Sequence, residues 1–370
     1  MIDLTPESVS EYLRRAFGPG AVLADLGAIG TLDKQGIKRF GYGKPLLVRF
    51  SVDGQPREGV LSVMRGDKYG HQFYWDRAAI LMFQFETSAR LPRHVRPMGL
   101  GYVDAHNRLI PVAEPREFFI MNEKLEGYDY FLDLERIGSG GFLPADIELA
   151  RGLAHWLADI HAEKKADPDL YYRHVRNLLG ASECIMGLVD EAFPHPCGFL
   201  SDECFARIEK RLIDWRWKLR AHAGRLSVVH GDVHPWNILV DGAGGFSVLD
   251  RSRGEWGEPA SDVASLAANY LLFGLLQNPD EARLSGPFAE LWTVLFEAYL
   301  ERSGDPGILE VLAPFFVFRG LVIVSPEWYP NHPAPVRRAL VRFIRRVLED
   351  DVFDWRNVNR YLEEHDGGQA

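Results

Sequence analysis

Cysteine is scarce in this chain. Its three residues, Cys184, Cys197 and Cys204, are scattered and form no Cys-x-x-Cys pair. That argues against a disulfide framework and against a thiolate zinc site, and it fits a reducing cytoplasm. Positive charge is also short: 42 Lys and Arg against 52 Asp and Glu give a formal net charge of −10. Nucleic acids are held by excess Lys and Arg, so no nucleic-acid partner is expected. The balance mildly favours a cationic small substrate. Long apolar runs are missing too. Leu312 to Val324 is interrupted by Arg319 and is too short to span a bilayer. The opening Met1-Ile-Asp-Leu-Thr-Pro-Glu-Ser lacks the basic start and apolar core of a signal peptide. A soluble, cytoplasmic chain without a membrane partner is expected. No internal repeat or low-complexity segment occurs. At 370 residues and 46% hydrophobic, the chain suits two domains or one large bilobal unit.

The most informative stretch is His230-Gly-Asp-Val-His-Pro-Trp-Asn-Ile-Leu239. Leu226 to Val229 before it reads as a short strand. Val240-Asp-Gly-Ala-Gly-Gly after it reads as a turn, and a second apolar run, Phe246 to Leu249, ends in Asp250. Two strands thus flank a loop carrying Asp232 and Asn237, with Asp250 just beyond the second strand. Hard oxygen donors of this kind suit Mg²⁺, which takes one or two protein carboxylates plus phosphate oxygens. An Asp that is not a ligand can serve as base for a substrate hydroxyl.

The spacing Asp-x₄-Asn followed by a strand ending in Asp resembles the core of protein-kinase-like phosphotransferases. Gly231 after His230, and His234 where protein kinases carry Lys, resemble the aminoglycoside phosphotransferase and choline kinase branch. Leu249-Asp-Arg-Ser-Arg-Gly-Glu-Trp-Gly-Glu-Pro-Ala-Ser-Asp262 matches that branch's pattern of Asp, a variable loop, then Gly-Asp/Glu-Pro-x-x-Asp, without a gap. The resemblance implies an α+β, bilobal, protein-kinase-like fold. A small antiparallel-sheet lobe, a five-stranded sheet with its helices over residues 1–124, would bind nucleotide. A mainly helical lobe, 125–370, would carry catalysis and the acceptor. It also implies transfer of the γ-phosphoryl group of ATP or GTP, with Mg²⁺, to a small hydroxyl-bearing acceptor. Asp232 would be the catalytic base and Asn237 and Asp250 the metal ligands. His230 and Asp262 would brace the loop, and His234 would approach phosphate.

The rest of the chain accommodates this layout. Thr5-Pro-Glu-Ser reads as the capped start of a helix running to about Phe17. Val22–Ile29, Ile37–Phe40, Leu46–Val52 and Gly59–Met64 read as strands, with a turn at Asp53-Gly54. Gly41-Tyr-Gly43 is either a phosphate-approaching loop or a plain hairpin turn. The strand ending at Arg65 holds no lysine where the family has one. Alternation puts Leu61, Val63 and Arg65 on one face, so Arg65 is the candidate for nucleotide phosphates, with Lys68 as the other. A helix over His71–Ala89 offers Asp76, and later Glu86, as the partner carboxylate. Glu117 to Gly127 resembles the hinge between lobes, and by register the Glu123 carbonyl and the Leu125 amide would contact adenine. Pro144–Glu163 has helical apolar spacing and carries His161, read as a hydrogen-bonded core residue. Helices are further expected within 164–225, over Val263–Leu276, Phe288–Glu301, Ile308–Val324 and Val336–Leu348.

Two other classes compete. His230-x-Asp-x-His234 has residue types that suit zinc or iron, as in a metallohydrolase. A catalytically silent nucleotide-binding protein of the same fold would explain the missing strand lysine. Arg251 and Arg253 stand beside the expected metal ligand Asp250. They contact phosphate or pair with Glu255 and Glu258, and the residues do not choose. Asp129, Asp133, Glu135 and Glu183 are the acids available to an acceptor pocket.

Overall fold

Thr5 starts the first helix: its side chain accepts the Ser8 amide, and Pro6, lacking an N–H, costs nothing in the first turn. Helix α1 (Pro6–Phe17) ends at Gly18, whose φ of 98° suits glycine. The computed structural model describes residues 4–28, 46–64, 66, 70–88, 95–113, 122–242, 244–251, 253 and 255–363. These fall into two compact units, Met1–Asn122 and Glu123–Ala370.

In the first unit, β1 (Ala21–Ala28), β2 (Leu46–Val52) and β3 (Gln55–Leu61) form an antiparallel sheet in that order. Strand β3 begins at Gln55 and not at Gly59. Asp53 and Gly54 both have positive φ, the signature of a two-residue hairpin turn, and this sets Val52 opposite Gln55. Turn geometry thus outweighs the polar character of Gln55-Pro-Arg-Glu58. Helix α2 (Tyr74–Ser88) follows, then β4 (Leu100–Val103) and β5 (Leu109–Val112), which pair with each other. Among the described residues the strands make a three-stranded and a two-stranded ladder, not one five-stranded sheet. Helix α1 packs on both β1 and β5. Val9 and Leu13 from its inner face join Ala21, Val48 and Phe50 in a small core.

The second unit is mainly helical. It begins with β6 (Tyr128–Asp129), α3 (Phe131–Gly138), α4 (Pro144–His161), α5 (Pro168–Gly180), α6 (Ile185–Glu191) and α7 (Asp202–Leu219). Four short strands come next: β7 (Ser227–Val228), β8 (Ile238–Val240), β9 (Phe246–Val248) and β10 (Trp256–Gly257). Helices α8 (Ala260–Gln277), α9 (Gly286–Ser303), α10 (Ala313–Val324) and α11 (Ala334–Val347) complete it. Helix α4 buries Leu149, Ala150, Leu153, Ala154, Leu157, Ala158 and His161, the spacing of one helical face, and packs against α9. Helix α8 is buried on all sides, as its nearly unbroken apolar sequence requires. The single helix expected over Ile308–Val324 is a short 3₁₀ turn, Pro306–Glu310, and then α10. Pro314 explains the break, because it has no N–H for a preceding turn and fits only near a helix start. No helix among the described residues is long and apolar enough to cross a membrane. Small antiparallel sheets beside a mainly helical region match the α+β fold class expected from the sequence.

Candidate active site

Strand pairing builds the loop that carries the motif. Strand β7 pairs with β10, while β8 lies between β6 and β9. The two apolar runs flanking the motif therefore belong to different ladders: β7 leads into the loop, and β8 leaves it to pair with β9. At the turn, Gly231 takes a φ of 90°, which favours glycine. The amides of His230 and Gly231 donate to the two carboxylate oxygens of Asp262, at 2.7 and 2.8 Å. Asp262 sits in the first turn of α8, where the helix dipole also favours a negative charge. His161, from α4, approaches Asp262 Oδ2 with Nε2 at 3.2 Å, and its Nδ1 lies 3.0 Å from the Tyr299 hydroxyl. Burial raises the Asp262 carboxyl. The His161 contact and the two amides outweigh it, and the group stays below the ordinary carboxylate value. One buried charge thus ties the loop to two helices.

Asp232 follows on the same loop and is 7% exposed. Its Oδ1 accepts from Arg319 of α10 at 2.5 Å, and Arg253 Nε lies 3.3 Å from Oδ2. Burial raises this carboxyl too, but the charges of Arg319 and Arg253, with His234, hold it below its ordinary value. Asp232 is therefore ionised at neutral pH. The Asn237 side-chain amide donates to the Asp232 carbonyl at 3.0 Å. The Asn237 carbonyl accepts from the Leu249 amide at 2.9 Å, which extends the β8–β9 ladder to the residue before Asp250. Asp250 is exposed, with φ of 54°. His234 caps the turn Pro235–Asn237 by accepting the Trp236 amide on Nδ1. Burial and the nearby Arg319 push its ring down to about 4, so it is neutral at pH 7. Its Nε2 lies 3.9 Å from Asp232 Oδ2.

A sequence profile of the family described as the phosphotransferase enzyme family matches residues 76–297. The chain belongs to that family. Comparison with curated proteins found no match. Among solved structures, a glucosamine kinase is 20% identical, covering 64% of this chain and 57% of its own, with a TM-score of 0.35. The Plasmodium vivax ethanolamine kinase is 13% identical, covering 91% and 80%, with a TM-score of 0.35. A type I macrolide 2'-phosphotransferase is 18% identical, covering 88% and 92%, with a TM-score of 0.33. Membership in an enzyme family disfavours the silent nucleotide-binding reading.

The metallohydrolase reading loses its ligands. His230 Nδ1 accepts the Asp232 amide at 3.3 Å, Asp232 is engaged by Arg319, and His234 Nδ1 is a turn cap. No group of three His, Cys, Asp or Glu among the described residues is arranged to hold a metal ion.

Arg251 and Arg253, left open by the sequence, separate in the phosphotransferase structure. Arg251 donates to the carbonyls of Val229 and Glu255 and so fastens the β7–β10 region. Arg253 reaches Asp232 and donates to the Glu183 carbonyl at 2.6 Å. Glu258 pairs instead with Arg225, and also accepts from Tyr171 at 2.9 Å. Of the acids considered for an acceptor pocket, Asp133 is paired with Arg136, whereas Glu183 is exposed.

In the first unit, Asp76 accepts the Phe73 amide at 3.0 Å near the start of α2. Arg65, Lys68, Gly41 and Gly43 lie outside the described residues, as do Ile37–Phe40 and the hinge residues Glu117–Met121. Glu123 and Leu125 lie in the irregular segment 122–127 ahead of β6. The residue that sequence reasoning missed is Arg319. Its signal was present: a lone cation inside the apolar run Leu312–Val324 must find a buried partner.

Proposed function

We propose that this phosphotransferase moves the γ-phosphoryl group of ATP to a hydroxyl of a small molecule. The observation that carries the reading is an ionised, buried Asp232 on a loop whose Asn237 is bonded both to it and to the strand leading to Asp250. The donor set fits Mg²⁺. The Asn237 amide nitrogen is committed to the Asp232 carbonyl, which leaves its Oδ1 as the group to offer, and the Asp250 carboxylate is exposed. Two oxygen donors are the usual protein share of a Mg²⁺–nucleotide site. Asn237 and Asp250 would hold the ion. Held there, Mg²⁺ would supply positive charge to offset the negative charge that develops on the transferring phosphate.

Asp232 does the work at the acceptor. Its Oδ1 is fixed by Arg319 at 2.5 Å, so Oδ2, which Arg253 approaches only at 3.3 Å, is the oxygen that accepts the acceptor's O–H. The acceptor oxygen attacks the γ-phosphorus, the bond to the bridging oxygen breaks, ADP leaves, and Asp232 takes the proton. The transition state is loose, so orienting the hydroxyl matters more than early proton removal. His234, neutral, serves as a hydrogen-bond donor near phosphate. In this reading Arg65 replaces the family's lysine, with Asp76 as its counter-charge. Gly41 and Gly43 approach the phosphates, and the Glu123 carbonyl and Leu125 amide contact adenine.

Calorimetry with ATP and GTP, with and without Mg²⁺, tests the nucleotide site. Mg²⁺-dependent ATP binding is expected. Asp250→Asn should weaken it by about tenfold or more, the scale reached even when only the partners of metal ligands are removed. Binding indifferent to Mg²⁺ and to this substitution would sink the metal assignment. Preference for GTP would correct the donor.

A further inference from the structure

We propose that Arg253 and Arg319 form an anion subsite beside the acceptor hydroxyl, so that the acceptor of this enzyme carries a carboxylate or phosphate group. The proposal rests on Asp232 being the group that meets the hydroxyl.

The charges around Asp232 do not balance. One carboxylate faces two guanidinium groups. His234, beside them, is neutral at pH 7. Two of the loop's other acids are spent elsewhere, Asp262 on His161 and two loop amides and Glu258 on Arg225 and Tyr171, and the exposed Asp250 is the carboxylate assigned to the metal. Among the described residues, no carboxylate other than Asp232 pairs with Arg253 or Arg319. One positive charge is left over.

That charge sits where an anion would be welcome. The Arg319 side chain is 9% exposed, and its Nε is buried with no hydrogen-bond partner among the described residues. Native proteins seldom leave such a donor unpaired, because it forfeits hydration without return. Phe318 lies under both cations, with ring centroids 5.3 Å from Arg253 and 6.0 Å from Arg319. An apolar neighbour weakens screening and strengthens any pairing that forms there. Arg253 is 26% exposed, so the pair is not sealed from solvent. Guanidinium forks match the paired oxygens of carboxylates and phosphates. An amine-bearing acceptor would meet two cations at this point. The net charge of −10 favours cationic substrates over the whole surface, but this local excess has the opposite sign.

The test is a charge-matched set of probes: glucosamine, glucose, glucuronate and glucose 6-phosphate. Binding to the full chain with Mg²⁺ and a non-hydrolysable ATP analogue is measured by saturation-transfer NMR. An anionic member is expected to bind about tenfold or more tightly than glucose, the scale of one charge-assisted hydrogen bond, with glucosamine weakest. Which anion binds separates a carboxylate from a phosphate acceptor. Arg253→Gln, at a partly exposed position, should bring the preference close to unity. Arg319→Lys, which keeps charge but loses the fork, should reduce it. Three results overturn the subsite: glucosamine or glucose binding as well as the anions, an undiminished preference in Arg253→Gln, or no anion binding at high millimolar concentration. Nucleotide binding is followed in the same samples. An anion preference in a protein that takes no Mg·ATP supports the subsite while sinking the kinase reading.

Discussion

Replacing Asp232 by Asn is expected to slow phosphoryl transfer by about 10²–10⁴-fold, the usual contribution of a positioned general base. The substitution keeps size and shape but removes the charge that draws the acceptor proton. It also has a structural cost. Arg319 is 9% exposed and holds Asp232 Oδ1 at 2.5 Å. Losing the negative partner of a buried pair costs about 3–5 kcal/mol. Two measurements keep the effects apart. Thermal or urea unfolding reads the lost pair, and calorimetry with Mg·ATP reads whether the nucleotide site survives. The catalytic role predicts near-normal nucleotide binding with turnover collapsed. Turnover within a few-fold of wild type in a folded Asp232→Asn protein would remove Asp232 from the mechanism.

The second large effect is structural. Asp262→Ala is expected to destabilise the second unit by about 3–5 kcal/mol and to abolish turnover. Asp262 is fully buried and satisfies three groups at once: the amides of His230 and Gly231, and His161 Nε2. Alanine leaves all three without a partner, and each buried unmade hydrogen bond costs about 1–3 kcal/mol. The folded-state carboxyl lies below its ordinary value. Its stabilisation is therefore present above about pH 3.9 and is lost as pH falls through the lower folded value. Urea midpoints for wild type and variant, at neutral pH and in acid, check both statements. A variant that unfolds like wild type would mean that the loop is held by other contacts.

The segment 230–262 was legible because its information is local. Turn glycine, acid, amide and terminal acid follow one another at fixed spacing, and the Asp262 brace lies only 31 residues from Gly231. The Asp232 clamp was not legible, because Arg319 lies 87 residues downstream on another helix. Nothing in local spacing links the two, although a cation in an apolar run signalled a buried partner. Arg251 and Arg253 were undecidable for a related reason. Several of their partners are backbone carbonyls, at Val229, Glu255 and Glu183, and carbonyls leave no mark in sequence. Strand β7 pairs with β10 and not with the strand ending near Asp250, and two-residue ladders are too short for alternation to specify. The start of β3 was misread because Gln55 and Glu58 are polar, while the hairpin at Asp53-Gly54 decided the register.

Phosphoryl transfer to a small-molecule hydroxyl is tested most directly by following the γ-phosphorus of ATP by ³¹P NMR. The sample is the full chain with Mg²⁺ and a pool of neutral, cationic and anionic hydroxyl compounds. The γ-signal is expected to be replaced by a phosphate monoester signal, only with Mg²⁺ and not in Asp232→Asn. ATP that stays intact, or that yields only inorganic phosphate with every acceptor present, would contradict such transfer.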